Sequence, residues 1–242
     1  MIVLLLSDIH ANLDSVEAIE EDYDQLLVLG DVVDYGPNPA ECLAFVRENA
    51  HRTVRGNHDH AVAFGVDCGC SYKYKQLSIA TRDFTLNVLE EGDLKFLREM
   101  PLIHEFKLSG YNFYMVHASP TDNLFKYITP KTPDEEIENE IRTIDSDFIL
   151  LGHSHIPMIK NVNGRTLVNP GSTGQPRDGV AKASYAILDL DEGDVRIKRV
   201  SYDVSKTIEK TKNLDLDKNT VDELATILMR GGDKNGEECF TN

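Results

Sequence analysis

The chain opens with Met1–His10, MIVLLLSDIH, and this stretch decides the fold. The apolar run from Ile2 to Leu6 is too short to span a membrane and fits a strand that is buried on both faces. Asp8 and His10 follow with one residue between them, so on an extended backbone their side chains would point the same way. Open α/β sheets place their ligand sites just past the ends of such strands. Asp8-x-His10 therefore predicts half of a metal site at that edge.

Four further predicted strands end in the same way, in polar side chains at or beside a turn. They are residues 25–29 before Gly30-Asp31, 51–54 before Gly56-Asn57-His58-Asp59, 111–116 before His117, and 148–151 before Gly152-His153-Ser154-His155. A single aspartate or histidine at a strand end is usually a helix cap or a surface residue. Recurrence at five strand ends instead favours one shared site.

The side chains collected in this way are carboxylates, one amide and imidazoles. They are Asp8, His10, Asp31, Asn57, His117, His153 and His155, with His58 beside them. This donor set suits ions such as Mn²⁺, Fe²⁺ or Zn²⁺ better than a soft metal. Seven donors exceed what one ion usually takes from a protein. Two ions fit if one carboxylate bridges them at a separation of about 3.5–4 Å. Asp31 is the natural bridge, because the other donors fall into two sets, one on each side of it.

The composition limits the partners and the location of the protein. Its 242 residues carry a formal net charge of −16, which argues against a nucleic-acid polymer because no broad basic surface can displace counterions. A small anionic substrate is compatible with this charge, because bound metal ions dominate the local field. We find neither a membrane-length apolar run nor a signal-peptide pattern, so we expect a cytoplasmic protein.

The cysteines do not follow a zinc-finger pattern. They are Cys42, Cys68, Cys70 and Cys239. The Cys68-Gly69-Cys70 stretch looks too tight for an easy disulfide, so we expect free thiols in a reducing cytosol.

The order of the predicted elements indicates how the chain is organised. A strand–helix–strand beginning favours a parallel sheet, and the short hairpin-like strands after residue 155 favour a second sheet packed on the first. Helices are predicted over 75–91 and 93–100, whereas the weak pattern from His60 to Tyr74 indicates an irregular segment. We expect one domain over residues 1–230, with a helical insert at about 60–100 and a polar C-terminal tail over 231–242.

The strand-end motifs resemble, in their order and residue types, those of the calcineurin-like metallophosphoesterase superfamily. The motif series of that superfamily is D-x-H, G-D, G-N-H-D/E, a strand-end H and G-H-x-H. The resemblance covers about the first 180 residues. The stretches GDVVDYGPNP and NPGSTGQPRDG are similar to a group of compact prokaryotic phosphoesterases and phosphodiesterases. The resemblance implies an α/β fold (α+β in some schemes), a four-layer αββα sandwich of two mixed β-sheets flanked by helices.

The resemblance also implies a role for each matching residue. Asp8, His10 and His155 would hold one ion, Asn57, His117 and His153 would hold the second, and Asp31 would bridge both. His58 would stabilise or protonate the leaving-group oxygen. Mn²⁺ is the expected ion, with Fe, Zn, Ni or Mg as alternatives.

Three more polar residues are expected near this centre. Asp34 and Asp59 are expected to orient the ligand groups by hydrogen bonding. Arg177, in the Gly/Pro-rich loop 169–179, is the candidate for binding a substrate phosphate with both arms of its guanidinium. A structural arginine bonded to loop carbonyls is the open alternative.

The expected function is hydrolysis of a small phosphate mono- or diester, a nucleotide or a phosphorylated metabolite, by metal-activated water. One alternative is a catalytically silent scaffold of the same fold, although such proteins typically lose ligands. The other is a nuclease, against which the acidic charge argues. The oligomeric state is left open.

Overall fold

The computed structural model describes residues 1–232, which form two five-stranded sheets flanked by helices. The strands are β1 Ile2–Leu6, β2 Gln25–Val28, β3 Arg52–Thr53, β4 Ile103–Leu108, β5 Tyr111–Val116, β6 Phe148–Leu150, β7 Met158–Val162, β8 Arg165–Asn169, β9 Ala183–Asp189 and β10 Asp194–Val200. The helices are α1 Leu13–Glu17, α2 Pro39–Asn49, α3 Asn57–Phe64, α4 Tyr72–Val88, α5 Glu91–Glu99, α6 Asp134–Ile141, α7 Val204–Lys212 and α8 Lys218–Arg230.

Both sheets are mixed. The first has the order β10-β9-β1-β2-β3, in which β1 pairs parallel with β2 and antiparallel with β9. The second has the order β4-β5-β6-β8-β7, with β6 parallel to both of its neighbours. This arrangement confirms the predicted sandwich of two mixed sheets.

Strand β1 contributes to two hydrophobic layers. Its Val3 and Leu5 side chains pack between the sheets, in the cluster that contains Phe113 and Leu150 of the second sheet. Its Leu4 and Leu6 side chains point to the opposite face, in the cluster formed with α1, α2 and α5. A third cluster joins the outer face of the second sheet to α6. The strand is therefore buried on both faces, as the unbroken apolar run predicts.

The segment after β3 differs from the prediction. The irregular conformation expected from His60 to Tyr74 is wrong for residues 60–64, which belong to α3, and for residues 72–74, which belong to α4. The Asp59 carboxylate accepts the Gly56 amide and so closes the first turn of α3. Gly65, at φ +67, ends it. The proposed division into one domain with an insert stays a prediction, and residues 233–242 of the predicted tail lie outside the described residues.

Candidate metal centre

All eight predicted residues of the centre lie together at the carboxyl ends of strands from both sheets. Asp8 and His10 follow β1, Asp31 follows β2, Asn57 and His58 begin α3 after β3, His117 follows β5, and His153 and His155 follow β6. None of these side chains is more than 4% exposed. The structure therefore brings together residues that are up to 147 positions apart, from Asp8 to His155.

The backbone at this edge is strained. Left-handed φ angles between 47° and 66° occur at Asp8, His10, Asp31, His153 and His155. Such a conformation costs on the order of 1–3 kcal/mol for a residue with a side chain, and it concentrates at functional sites. The expectation that Asp8 and His10 converge on an extended backbone is therefore wrong. The strand ends at Leu6, and the turn is fixed instead by hydrogen bonds from the amides of Asp8 and His10 to the carbonyls of Gly30 and Asp31.

Gly30 explains how two of the strand ends approach each other. It has φ +87, and a Cβ at this position would lie 2.5 Å from the backbone nitrogen of Gly56. Only glycine permits this contact between the end of β2 and the start of α3. The close approach places Asp31 next to His58, whose amide donates to Asp31 Oδ1 at 2.8 Å.

The first half of the centre contains Asp8, His10 and His155. The Nε2 atoms of the two histidines lie 3.2 Å apart, and His155 Nε2 is 3.3 Å from Asp8 Oδ1. His10 Nε2 is also 3.8 Å from Asp31 Oδ2. These four groups therefore converge on one point.

The second half contains Asn57, His117 and His153. Asn57 Oδ1 lies 3.1 Å from His117 Nε2 and 3.0 Å from His153 Nδ1. His117 Nε2 is also 3.3 Å from Asp31 Oδ2. Asp31 Oδ2 therefore faces both halves, which is the arrangement that a bridging carboxylate requires.

Each imidazole is oriented by a backbone carbonyl on its outer side. His10 Nδ1 bonds to Val33, His117 Nδ1 to Leu29, His153 Nε2 to Phe125 and His155 Nδ1 to Gln175, at distances of 2.6–3.2 Å. A nitrogen that donates to a carbonyl carries the proton, so the other ring nitrogen presents its lone pair to the centre. This pattern of outer hydrogen bonds is typical of histidines that bind metals.

The donor set fits cations, because two of its carboxylate oxygens lack hydrogen-bond partners within the described residues. Asp8 Oδ1 and Asp31 Oδ2 are buried and accept no hydrogen bond within residues 1–232. An unpartnered buried carboxylate oxygen is costly unless a positive charge compensates it. The grouping of Asp8 with His10 and His155, and of Asp31 with His117 and His153, supplies two such positions.

The pKa values of the candidate ligands are consistent with a cation site. Burial lowers the pKa of His10 to about 3 and holds the pKa values of His153 and His155 well below the ordinary value. Burial raises the pKa of Asp8 to about 7. For Asp31, burial also favours the neutral form, but His117, His58 and His10 outweigh it and hold the pKa well below its usual range. Most of the centre therefore consists of neutral imidazoles around an ionised Asp31.

His117 is the exception among the imidazoles. Burial lowers its pKa, but the Asp31 carboxylate outweighs burial and raises the value to about 9. The proton on Nε2 then compensates the carboxylate. A cation at this position would displace that proton and take over the same role.

His58 lies beside the centre and is held by Asp34. His58 Nδ1 donates to Asp34 Oδ2 at 2.8 Å, and the same carboxylate oxygen accepts from Ser78 Oγ at 2.6 Å and Arg82 at 3.2 Å. Burial alone would raise the pKa of Asp34, but His58 and Arg82 hold it below its ordinary value. His58 Nε2 faces the Tyr35 hydroxyl, 3.2 Å away.

Asp59 and Arg177 are placed differently from each other. Asp59 accepts hydrogen bonds from the backbone amides of Val32, Val33 and Gly56, so it holds the turn after Asp31. These hydrogen bonds join Asp59 to backbone and not to a ligand side chain.

Arg177 donates to the Gln175 side-chain oxygen at 2.6 Å, and its guanidinium lies 3.7 Å from the centroid of the Tyr74 ring. Its guanidinium also lies 5.7 Å from the centroid of the Tyr35 ring, which in turn packs against the His10 ring at a centroid distance of 4.8 Å.

The expectation of free thiols at Cys68 and Cys70 is wrong in this structure, because the two residues form a disulfide. Gly69 adopts φ +67, and this left-handed turn brings the two Cα atoms to 5.5 Å. Cys42 is free and buried, as expected.

The sequence did not predict several of the contacts that groups at the border of the centre make. The Cys68 carbonyl accepts from Asn57 Nδ2 at 2.7 Å, and this bond fixes which way the Asn57 amide points. The Tyr127 ring stacks on His153 with centroids 4.0 Å apart. Leu224 and Ile227 of α8 pack against Tyr35 and Tyr74. A local sequence pattern carries no signal for such contacts, because each of them joins distant parts of the chain.

A divalent cation is expected to stabilise the protein against heat. At a Mn²⁺ concentration 100 times the dissociation constant, one bound ion contributes about 2.7 kcal/mol, which corresponds to a rise in Tm of about 5–10 °C for a chain of this size. Differential scanning calorimetry of chelator-treated protein, with and without added Mn²⁺, measures the shift. An unchanged Tm at saturating Mn²⁺ would contradict the cation site.

Comparison with known proteins adds an independent line of evidence. The sequence profile of the calcineurin-like phosphoesterase superfamily domain matches residues 1–193. An uncharacterized protein of Methanocaldococcus jannaschii is 34% identical over 229 residues, which cover 86% of this chain and 90% of that protein. The crystal structure of a metallophosphoesterase from Sphaerobacter thermophilus superimposes with a TM-score of 0.80 at 29% identity, covering 96% of this chain and 99% of that one.

A more distant relative carries a named activity. A symmetrical bis(5'-nucleosyl)-tetraphosphatase of Psychromonas ingrahamii is 26% identical over 197 residues, which cover 77% of this chain. The match spans 64% of that relative's length.

The fold and the buried histidine–aspartate cluster define a metal-dependent phosphoric ester hydrolase. The chain belongs to the calcineurin-like phosphoesterase superfamily. Among residues 1–232, none of the helices combines the length and apolar character that a membrane crossing requires.

Proposed function

We propose that this enzyme is dinuclear and hydrolyses small phosphate mono- or diesters, such as nucleotides or phosphorylated metabolites. One observation carries the proposal. Four imidazoles and the unpartnered oxygens of Asp8 and Asp31 face each other in two groups that share Asp31. Asp8, His10 and His155 would hold one ion, Asn57, His117 and His153 the other, and Asp31 both. Mn²⁺ is the expected ion, because carboxylate, amide and imidazole donors suit it.

Two bound divalent ions would neutralise the phosphoryl oxygens and activate the attacking water. The chain supplies the remaining functions. His58 would give a proton or a hydrogen bond to the leaving-group oxygen, since an alkoxide leaves poorly without one. Asp34 holds the His58 ring in place through the 2.8 Å hydrogen bond to Nδ1. The metal ions would then act on the attacking water and His58 on the leaving group, so that different groups assist the two ends of the in-line displacement at phosphorus.

Arg177 is the proposed phosphate-binding residue. Its guanidinium is held by the Gln175 side chain and by the Tyr74 ring, and the Gln175 backbone carbonyl accepts from His155 of the centre. A guanidinium oriented in this way can bind a phosphate oxygen at the edge of the centre with little loss of side-chain entropy.

The enzyme assay that tests the proposal is a substrate screen with Mn²⁺. It includes phosphomonoesters, cyclic and linear phosphodiesters, and dinucleoside polyphosphates, which the tetraphosphatase relative supports as candidates. We expect hydrolysis of at least one small ester and loss of that activity on chelation. Protein that binds two ions per chain and hydrolyses none of these esters would contradict the proposal.

Replacement of Arg177 with alanine is expected to raise KM by about 10- to 100-fold, because a charge-assisted hydrogen bond contributes about 1.5–3 kcal/mol. Arg177→Lys should fall between alanine and the wild type, since lysine keeps the charge and loses the planar fork. Steady-state kinetics with metal analysis measure both effects. An unchanged KM with a lowered Tm would instead assign Arg177 to the loop structure.

A cytoplasmic location stays a prediction. We also propose that the substrate is a small molecule, since the formal charge of −16 disfavours binding along a nucleic-acid polymer.

A further inference from the structure

The loop that carries Cys68 and Cys70 covers the candidate centre with two sulfur atoms that the proposed reaction does not use. Cys70 Sγ lies 3.1 Å from His58 Nε2. The Cys68 carbonyl accepts from Asn57 Nδ2 at 2.7 Å, so the loop is anchored on the residue next to His58. Cys68 is 1% exposed. Cys70 Sγ is therefore held in contact with His58.

The orientation of His58 suits a metal ligand on its sulfur-facing side. Because Nδ1 donates to Asp34 Oδ2, Nε2 is the ring nitrogen that faces Cys70. A carboxylate–histidine pair of this kind is the usual support for a metal-binding imidazole. A ring nitrogen of His58 and the Sγ atoms of Cys68 and Cys70 all lie within 4.8 Å of one another.

We propose that reduction of the Cys68–Cys70 disulfide creates a separate site for a thiophilic divalent ion such as Zn²⁺, with both thiolates and His58 Nε2 as ligands. A dithiol supplies two electrons and two protons, breaks the S–S bond and becomes a disulfide itself. The ion then displaces the two thiol protons. Two sulfurs and one imidazole form a donor set that binds Zn²⁺ with a fourth position open.

The site differs in chemistry from the centre beside it. Thiolates select soft and borderline ions, whereas the carboxylate, amide and imidazole donors of the main centre accept harder ones such as Mn²⁺. An ion in the sulfur site would occupy His58 Nε2 and so withdraw it from the leaving group. Zn²⁺ is therefore expected to inhibit the reduced enzyme more strongly than the oxidised enzyme. This consequence rests on the proposed function, whereas binding of the ion does not.

The test uses the full-length protein, reduced with a phosphine and freed of reductant without air. Cd²⁺ is added as a probe, because its thiolate complexes absorb in the ultraviolet and its complexes with nitrogen and oxygen donors do not. We expect the reduced protein to bind one more Cd²⁺ per chain than the oxidised protein, with thiolate absorption. The Cys68→Ser/Cys70→Ser variant should show neither, whereas Cys42→Ser and Cys239→Ser should behave as wild type.

The possible results distinguish a failure of the sulfur site from a failure of the proposed function. Equal Cd²⁺ binding by the reduced and oxidised wild-type proteins would overturn the proposal without any variant, so a misfolded double serine variant would not weaken the test. Thiolate absorption that persists in a folded Cys68→Ser/Cys70→Ser variant would also overturn it. Because absorption is independent of turnover, an inactive enzyme would count against the proposed function alone.

His58 is tested by its effect on affinity. Replacing His58 with alanine should weaken Cd²⁺ binding at the sulfur site by at least about tenfold, because one of three ligands is lost. The matched control is His60→Ala on the same helix, which should leave the affinity unchanged. Unchanged affinity in His58→Ala would show that the thiolates bind the ion alone and would overturn the three-ligand site.

Discussion

Replacing Asp31 with asparagine is expected to lower the rate of phosphate-ester hydrolysis by at least about 10³-fold. The carboxylate faces both halves of the centre, since Oδ2 lies 3.3 Å from His117 Nε2 and 3.8 Å from His10 Nε2. Metal ions contribute several kcal/mol to such reactions, and about 1.4 kcal/mol corresponds to a factor of ten. An asparagine cannot bridge two cations with a negative charge, so the second ion should be lost as well.

Metal analysis and kinetics on the same preparation measure this result. The expected metal content of the Asp31→Asn variant is one ion per chain or fewer, with the fold retained by circular dichroism. Asp83→Asn, an exposed change on α4, is the matched control and should behave as the wild type. An Asp31→Asn variant that keeps two ions and full activity would remove Asp31 from the bridging position.

Replacing His58 with alanine is expected to have an effect that depends on the leaving group. For an alkyl phosphate ester, loss of the proton donor should lower kcat by about 10²- to 10⁴-fold, the usual contribution of general acid catalysis. A nitrophenyl ester needs little help from a proton, because its leaving group is already stable as an anion. Its kcat should therefore fall far less, and the metal content should not change.

The comparison of the two esters separates catalysis from structure. Equal losses for the alkyl and nitrophenyl esters would show that His58 acts on binding or folding and would contradict its role at the leaving group. His60→Ala is again the control, because His60 lies on the same helix and its ring contacts the Phe64 ring at a tilt. It should leave both rates near those of the wild type.

The residues of the candidate centre could be predicted because each of them follows a strand that is readable in the sequence. The apolar runs before Asp8, Asp31, His117 and His153 are short, unbroken and followed by turns, and these features are local. Their convergence follows from the common edge of the sheets. The local backbone at Asp8 and His10 could not be predicted, because it is set by hydrogen bonds to Gly30 and Asp31 on a neighbouring strand end.

The parts that the sequence did not reveal depend on long-range packing. The order of the first sheet places β1 between β2 and β9, and the pairing with β9 joins Val3 to Leu188. Helix α3 was missed because the pattern after His60 is weak and Gly65 and Gly69 favour an irregular segment, whereas the structure uses Asp59 to close the first turn. The Cys68–Cys70 disulfide depends on the left-handed turn at Gly69, which the spacing alone did not show.

The central claim is that donors from five strand ends bind two cations that share Asp31. X-ray diffraction from crystals soaked in Mn²⁺, measured for anomalous scattering, tests it most directly. We expect two anomalous peaks per chain, one among Asp8, His10 and His155 and one among Asn57, His117 and His153, with Asp31 contacting both. A single peak, or peaks that Asp31 does not touch, would contradict it.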